Sequence, residues 1–69
     1  MNWQQDADRV WTYRGPGGDL LAAVTQLGPY IGYPEPVFQT SGRFIDQVMR
    51  YGTLAEAQSA VEDLVRRNS

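Results

Sequence analysis

The chain has no cysteine, no histidine and no lysine. Without cysteine there are no disulfides and no thiolate metal sites. Without histidine the commonest zinc ligand and the commonest general base are both missing. Serine and threonine are present, but no histidine, lysine or cysteine stands by to activate them, so acyl-transfer chemistry is not expected. Every positive charge is an arginine, and the net charge is −2. That mildly acidic balance argues against sequence-independent nucleic-acid binding, which relies on a basic stripe. No apolar run has the length of a membrane span. The opening residues, Met1-Asn2-Trp3-Gln4-Gln5-Asp6, are polar and acidic, unlike a signal peptide, so the expected compartment is the cytoplasm.

What remains is a chain of 69 residues, enough for a single domain, 1–69. A chain this small buries only about 60% of the surface that its unfolded form exposes. With disulfides and thiolate metal sites excluded, oligomerisation is the remaining way to reinforce so small a core, and a homodimer is one expectation.

Residues 1–8 read as a polar lead-in, with Trp3 either a lid over the core edge or an exposed contact. Arg9–Arg14 reads as a strand, because Val10, Trp11, Thr12 and Tyr13 are all β-branched or aromatic. Alternation puts Trp11 and Tyr13 on one face. Gly15-Pro16-Gly17-Gly18 reads as a turn. Asp19–Leu27 fits either a hairpin strand returning on Arg9–Arg14 or a helix capped by Asp19; the preceding turn and the short length favour the strand. Tyr30–Pro36 contains two prolines and a glycine, which forbid a helix or a central strand and leave an extended loop or an edge. Val37–Thr40 reads as a short strand, Ser41-Gly42 as punctuation, and Phe44–Tyr51 as a last strand, although Phe44, Ile45, Val48 and Met49 also fit helical spacing. Residues 9–51 are thus mainly β.

The helix over residues 53–67 carries the clearest pattern. Thr53-Leu54-Ala55-Glu56 matches a capping box, with threonine as N-cap and glutamate at the third helical position. Leu54, Ala57, Val61, Leu64 and Val65 fall in one arc at about 100° per residue. Glu62–Arg66 and Asp63–Arg67 are i,i+4 pairs in the favourable order. A one-sided helix needs an apolar surface to cover. The expected fold is α+β: a small antiparallel sheet of three or four strands packed against one C-terminal helix.

No constellation with catalytic spacing emerges, so the chain is expected not to be an enzyme, and neither a cofactor nor a metal is expected. Asp6/Asp8 and Glu62/Asp63 read as solvated surface charges rather than an acid–base pair flanking a cleft. Gly15-Pro16-Gly17-Gly18-Asp19 lacks the lysine of a phosphate loop, and Asp19 would repel phosphate. Arg9, Arg14, Arg43 and Arg50 could line one sheet face with Trp11 and Tyr13 interleaved, the arrangement of a small DNA-binding domain that reads through its sheet. The plainer reading is ordinary surface arginine. Tyr30–Phe38 has the tyrosine, glycine and proline composition of binding loops. Its candidate contact residues are Tyr30, Tyr33, Glu35 and Phe38, joined on the strand by Trp11 and Tyr13. The alternative is that Tyr30, Ile31, Tyr33 and Phe38 close the end of the core.

The tail Tyr51-Gly52-Thr53-Leu54-Ala55-Glu56-Ala57 resembles the endings of small phage and prophage proteins in which a few strands with an early tryptophan precede a "GT-L-x-E-A" helix. That resemblance implies a non-enzymatic accessory protein that binds a host or phage protein, some such proteins inhibiting host defences as anti-CRISPR proteins do. It carries no functional residues, because the matching positions are structural.

Overall fold

The structure, a computed structural model, describes residues 2–68, Asn2 by its backbone alone. Five antiparallel strands lie side by side in sequence order. They are β1 (Asn2–Ala7), β2 (Val10–Arg14), β3 (Leu20–Leu27), β4 (Val37–Gly42) and β5 (Arg50–Tyr51), followed by the helix α1 (Leu54–Arg67). The α+β architecture expected from the sequence is present, with five strands rather than three or four. Among the described residues no helix is long and apolar enough to cross a membrane.

Alternation along the strands decides what the helix covers. Trp3 pairs with Tyr13 and Tyr13 with Ala22; Trp11 pairs with Val24 and Val24 with Thr40; Phe38 pairs with Tyr51. These cross-strand rows share one face. Tyr13, Leu21, Ala22, Val24 and Phe38 are buried there with Ala57, Val61 and Val65 of α1. The helix packs on β3, β4 and β5. Trp3 closes the remaining flank: its ring lies 4.8 Å from that of Tyr13, and its indole Nε1 donates to Glu62 Oε2 at 2.8 Å. Glu62 is therefore engaged by the sheet, while the Asp63–Arg67 pair closes at 2.7 Å. The helix starts as the capping box implies, with the Glu56 N–H donating to Thr53 Oγ1 at 3.2 Å. At its end, Asn68 Nδ2 donates to the Leu64 carbonyl at 2.8 Å.

Three local expectations are corrected. Residues 2–7 are a strand, not a lead-in. Glutamine-rich sequence is a poor strand signal, but pairing along β2 satisfies the backbone and turns Trp3 onto the core. A bulge at Asp6 aims its carboxylate at Arg14 Nη2 (3.1 Å) and at the Thr12 hydroxyl (3.2 Å), so this acid is held in place. The last strand is only Arg50–Tyr51. Residues 44–49 loop instead, because the Ile45 N–H turns back to the Gly42 carbonyl (3.3 Å) and Phe44 and Ile45 pack against the core. Ser41-Gly42 continues β4, opposite Ala23 and Ala22, rather than ending it.

Candidate interaction surface

The β3–β4 connection turns at Tyr30-Ile31-Gly32-Tyr33. Tyr30 and Tyr33 exchange backbone hydrogen bonds at 2.8 and 2.9 Å, closing a four-residue turn. Gly32 has φ +98°, and Ile31 does not have a positive φ. That is the signature of a type II turn, whose third residue must tolerate positive φ while its second projects outward. Ile31 is that second residue, and it is fully exposed.

The turn is fastened from both sides. At its base Gly28 has φ +95° and sits so close beneath the turn that a Cβ there would lie 2.6 Å from the Tyr33 carbonyl oxygen. The Gly28 carbonyl accepts from Arg9 Nη1 at 3.0 Å and from Gln26 Nε2 at 3.1 Å, which ties the loop to β3 and to the β1–β2 turn. Across the turn, the Tyr30 and Tyr33 rings meet edge to face at 5.9 Å. The Arg50 guanidinium lies 6.0 Å from the centre of the Tyr33 ring, and Arg50 Nε also donates to Gln39 Oε1 at 3.2 Å. A flat cation over a ring adds attraction without ordering a long side chain afresh. The result is an aliphatic knob between two tyrosines, held on a fixed base.

The six contact residues proposed from sequence divide. Tyr30 and Glu35 are exposed, and Tyr33 is half-buried beneath Arg50. Phe38 and Tyr13 are buried among the core residues, and Trp11 lies half-buried against Phe38 with ring centres 6.1 Å apart. These last three hold the sheet to the helix and are not available as a contact surface. Sequence reasoning overlooked Ile31 as an exposed group. The available signal was Tyr-Ile-Gly-Tyr itself, with glycine at the third turn position. Nothing local in the sequence announced Arg50, Arg9 or Gln26, which come from other strands and turns.

The arginine–aromatic arrangement imagined for nucleic acid is not assembled. Trp11 and Tyr13 face the helix, and their neighbour Arg14 falls on the opposite face, where it pairs with Asp6 at 3.1 Å. Arg43 lies 3.9 Å from Asp19. On the helix side, an open groove of about 410 Å³ runs between residues 44–49 and α1, its walls including Phe44, Ile45, Met49, Val61 and Leu64, with Asp46 the one charged side chain in its lining among the described residues. Compared with protein-family models, curated proteins and solved structures, the chain finds no match in any of the three.

Proposed function

We propose that this chain is a non-enzymatic protein-binding module that engages its partner through the Tyr30–Tyr33 turn. The observation that carries this reading is Ile31, a large aliphatic side chain wholly in water at the tip of a fastened turn. An exposed apolar residue standing alone needs no explanation. Here it stands between two tyrosines on a backbone that the fold spends a close-packed glycine, an arginine and a glutamine to hold. Pre-organised tyrosines flanking an apolar tip present contact area at little conformational cost. The resemblance to phage accessory proteins extends the proposal to the partner: a host protein or defence complex, inhibited in the cytoplasm of the infected cell in the manner of an anti-CRISPR protein.

The test compares two exposed apolar positions in one binding experiment. Immobilised chain is used to capture partners from host lysate, and each captured protein is then titrated against the variants Ile31→Asp and Leu20→Asp. Leu20 is about half exposed at the far end of β3. Losing the burial of one isoleucine, about 2 kcal/mol, predicts at least about 30-fold weaker binding for Ile31→Asp. Leu20→Asp should bind as the parent does. Equal loss in both variants, or in neither, removes the turn from the binding surface.

A further inference from the structure

The two edges of the sheet are built differently. β5 is two residues long and runs straight into the cap of α1, so it offers little backbone to an incoming strand. β1 is six residues long and, among the described residues, pairs on one side only, with β2. Long edges are normally blunted by lysine, proline, an inward-pointing charge or a β-bulge, and the bulge of β1 lies at its far end, past the Asn2–Gln5 stretch. β1 has neither lysine nor proline, and its one charge, Asp6, sits at the bulge and is already matched by Arg14. From Asn2 to Gln5 the register with β2 is uninterrupted. The helix packs on β3, β4 and β5 and meets β1 through the Trp3–Glu62 hydrogen bond, which lies on the face of the sheet and leaves the backbone of this edge uncovered.

We infer that β1 is a self-pairing edge: two copies of the chain join antiparallel through β1, with the two-fold axis at Gln4, fusing two five-stranded sheets into one. The occupant is a second copy because the strand is self-complementary in that register. Residues that pair across an antiparallel ladder share a face. A two-fold at Gln4 sets Trp3 opposite the partner copy's Gln5, both on the helix side, since Trp3 and Gln5 pair with Tyr13 and Trp11. It sets Gln4 opposite its own counterpart on the other face. A primary amide carries both donors and an acceptor, so two facing glutamines satisfy each other reciprocally. The centre of the pairing carries no charge, so no like-charge repulsion opposes it. Centring on Trp3 would be poorer, because its indole is drawn inward to Tyr13 and Glu62 and presents no free partner across the edge. An isologous contact of this kind closes after two copies.

The experiment is sedimentation of the full chain from low micromolar to millimolar concentration. The expected result is a reversible dimer of the 7.8 kDa chain. Gln4 is exposed, so Gln4→Lys and Gln4→Glu change charge without touching the core. Each variant places like charges opposite one another and should weaken self-association by up to about fivefold. An equimolar mixture of the two should restore it, because lysine then faces glutamate. Circular dichroism of both variants, unchanged from the parent, shows that the fold is intact. The inference is overturned if the parent chain stays monomeric throughout, if either folded variant dimerises as the parent does, or if the mixture gives no recovery. Ile31→Asp should dimerise normally, which keeps this edge separable from the proposed partner-binding turn.

Discussion

Gly28 and Gly32 provide a matched pair of perturbations with the same backbone demand and different surroundings. Their φ values are +95° and +98°. An alanine at either position meets the left-handed penalty of about 1–2 kcal/mol, offset in part by about 0.4–1 kcal/mol of unfolded-state entropy. Gly32 has nothing within 4 Å of an added Cβ, so Gly32→Ala should cost only that net, about 1 kcal/mol. At Gly28 the added carbon would meet the Tyr33 carbonyl oxygen at 2.6 Å and the Glu35 carbonyl oxygen at 3.1 Å. Both are backbone, so the loop must shift. The Tyr30 N–H to Tyr33 carbonyl bond of 2.8 Å is then strained or lost, about 1 kcal/mol, with at least about 1 kcal/mol more for the displaced packing. Gly28→Ala should therefore cost about 3 kcal/mol. For a domain of this size each kcal/mol lowers the melting temperature by about 4–8 °C. Thermal melts followed by far-ultraviolet circular dichroism, with urea titrations beside them, measure both variants. Equal destabilisation, within about 0.5 kcal/mol, would refute the claim that the base of the turn is held by close packing against Gly28.

Other perturbations separate the parts of the fold. Thr53→Ala removes the N-cap of α1 and should cost about 1 kcal/mol in urea unfolding. Val24→Ala empties a fully buried site beneath the helix and should cost about 2 kcal/mol; a cost under about 0.5 kcal/mol would mean that the helix does not seat there. Trp3→Phe and Glu62→Ala both break the 2.8 Å indole–carboxylate bond. The double variant should be less destabilised than the sum of the two by about 1 kcal/mol, and strict additivity would show that the bond contributes nothing. Ile31→Asp should leave the urea midpoint within about 0.5 kcal/mol of the parent, because the side chain touches nothing that folding buries.

The division between a scaffold side and an open side bears on how such a chain can work. Trp11, Tyr13 and Phe38 supply aromatic area that in sequence looks available for a partner, yet each is committed to the contact between sheet and helix. The exposed large apolar groups among the described residues are elsewhere, at Tyr30 and Ile31 on the turn, at Val48 and Met49 beside the groove, and at Leu20 at the far end of β3. A substitution series that targets tryptophan and phenylalanine would therefore report on folding. One that targets Tyr30 and Ile31 would test the proposed binding surface without disturbing the core.

Local interactions made α1 legible in the sequence, from the Thr53 cap to about Arg67. The Thr53 cap and the apolar arc are all relations within a few positions along the chain. The β2–β3 hairpin was legible for the same reason, since aromatic and β-branched residues lead into a glycine turn whose Gly18 N–H bonds the Gly15 carbonyl at 2.9 Å. β1 was not legible, because Gln4 and Gln5 have no strand preference of their own and become strand only by pairing with β2. Nor was the loop at residues 44–49, where the apolar pattern suits a strand but Phe44 and Ile45 pack against the core. For the candidate surface, sequence determined its composition, Tyr-Ile-Gly-Tyr between two strands, and the glycine that its turn requires. Only the tertiary structure decided which of these side chains is free. Phe38 is buried because β4 lies inside the sheet, Tyr33 is covered by Arg50 from β5, and Ile31 is left outside because the turn is held by contacts from Arg9, Gln26 and Gly28.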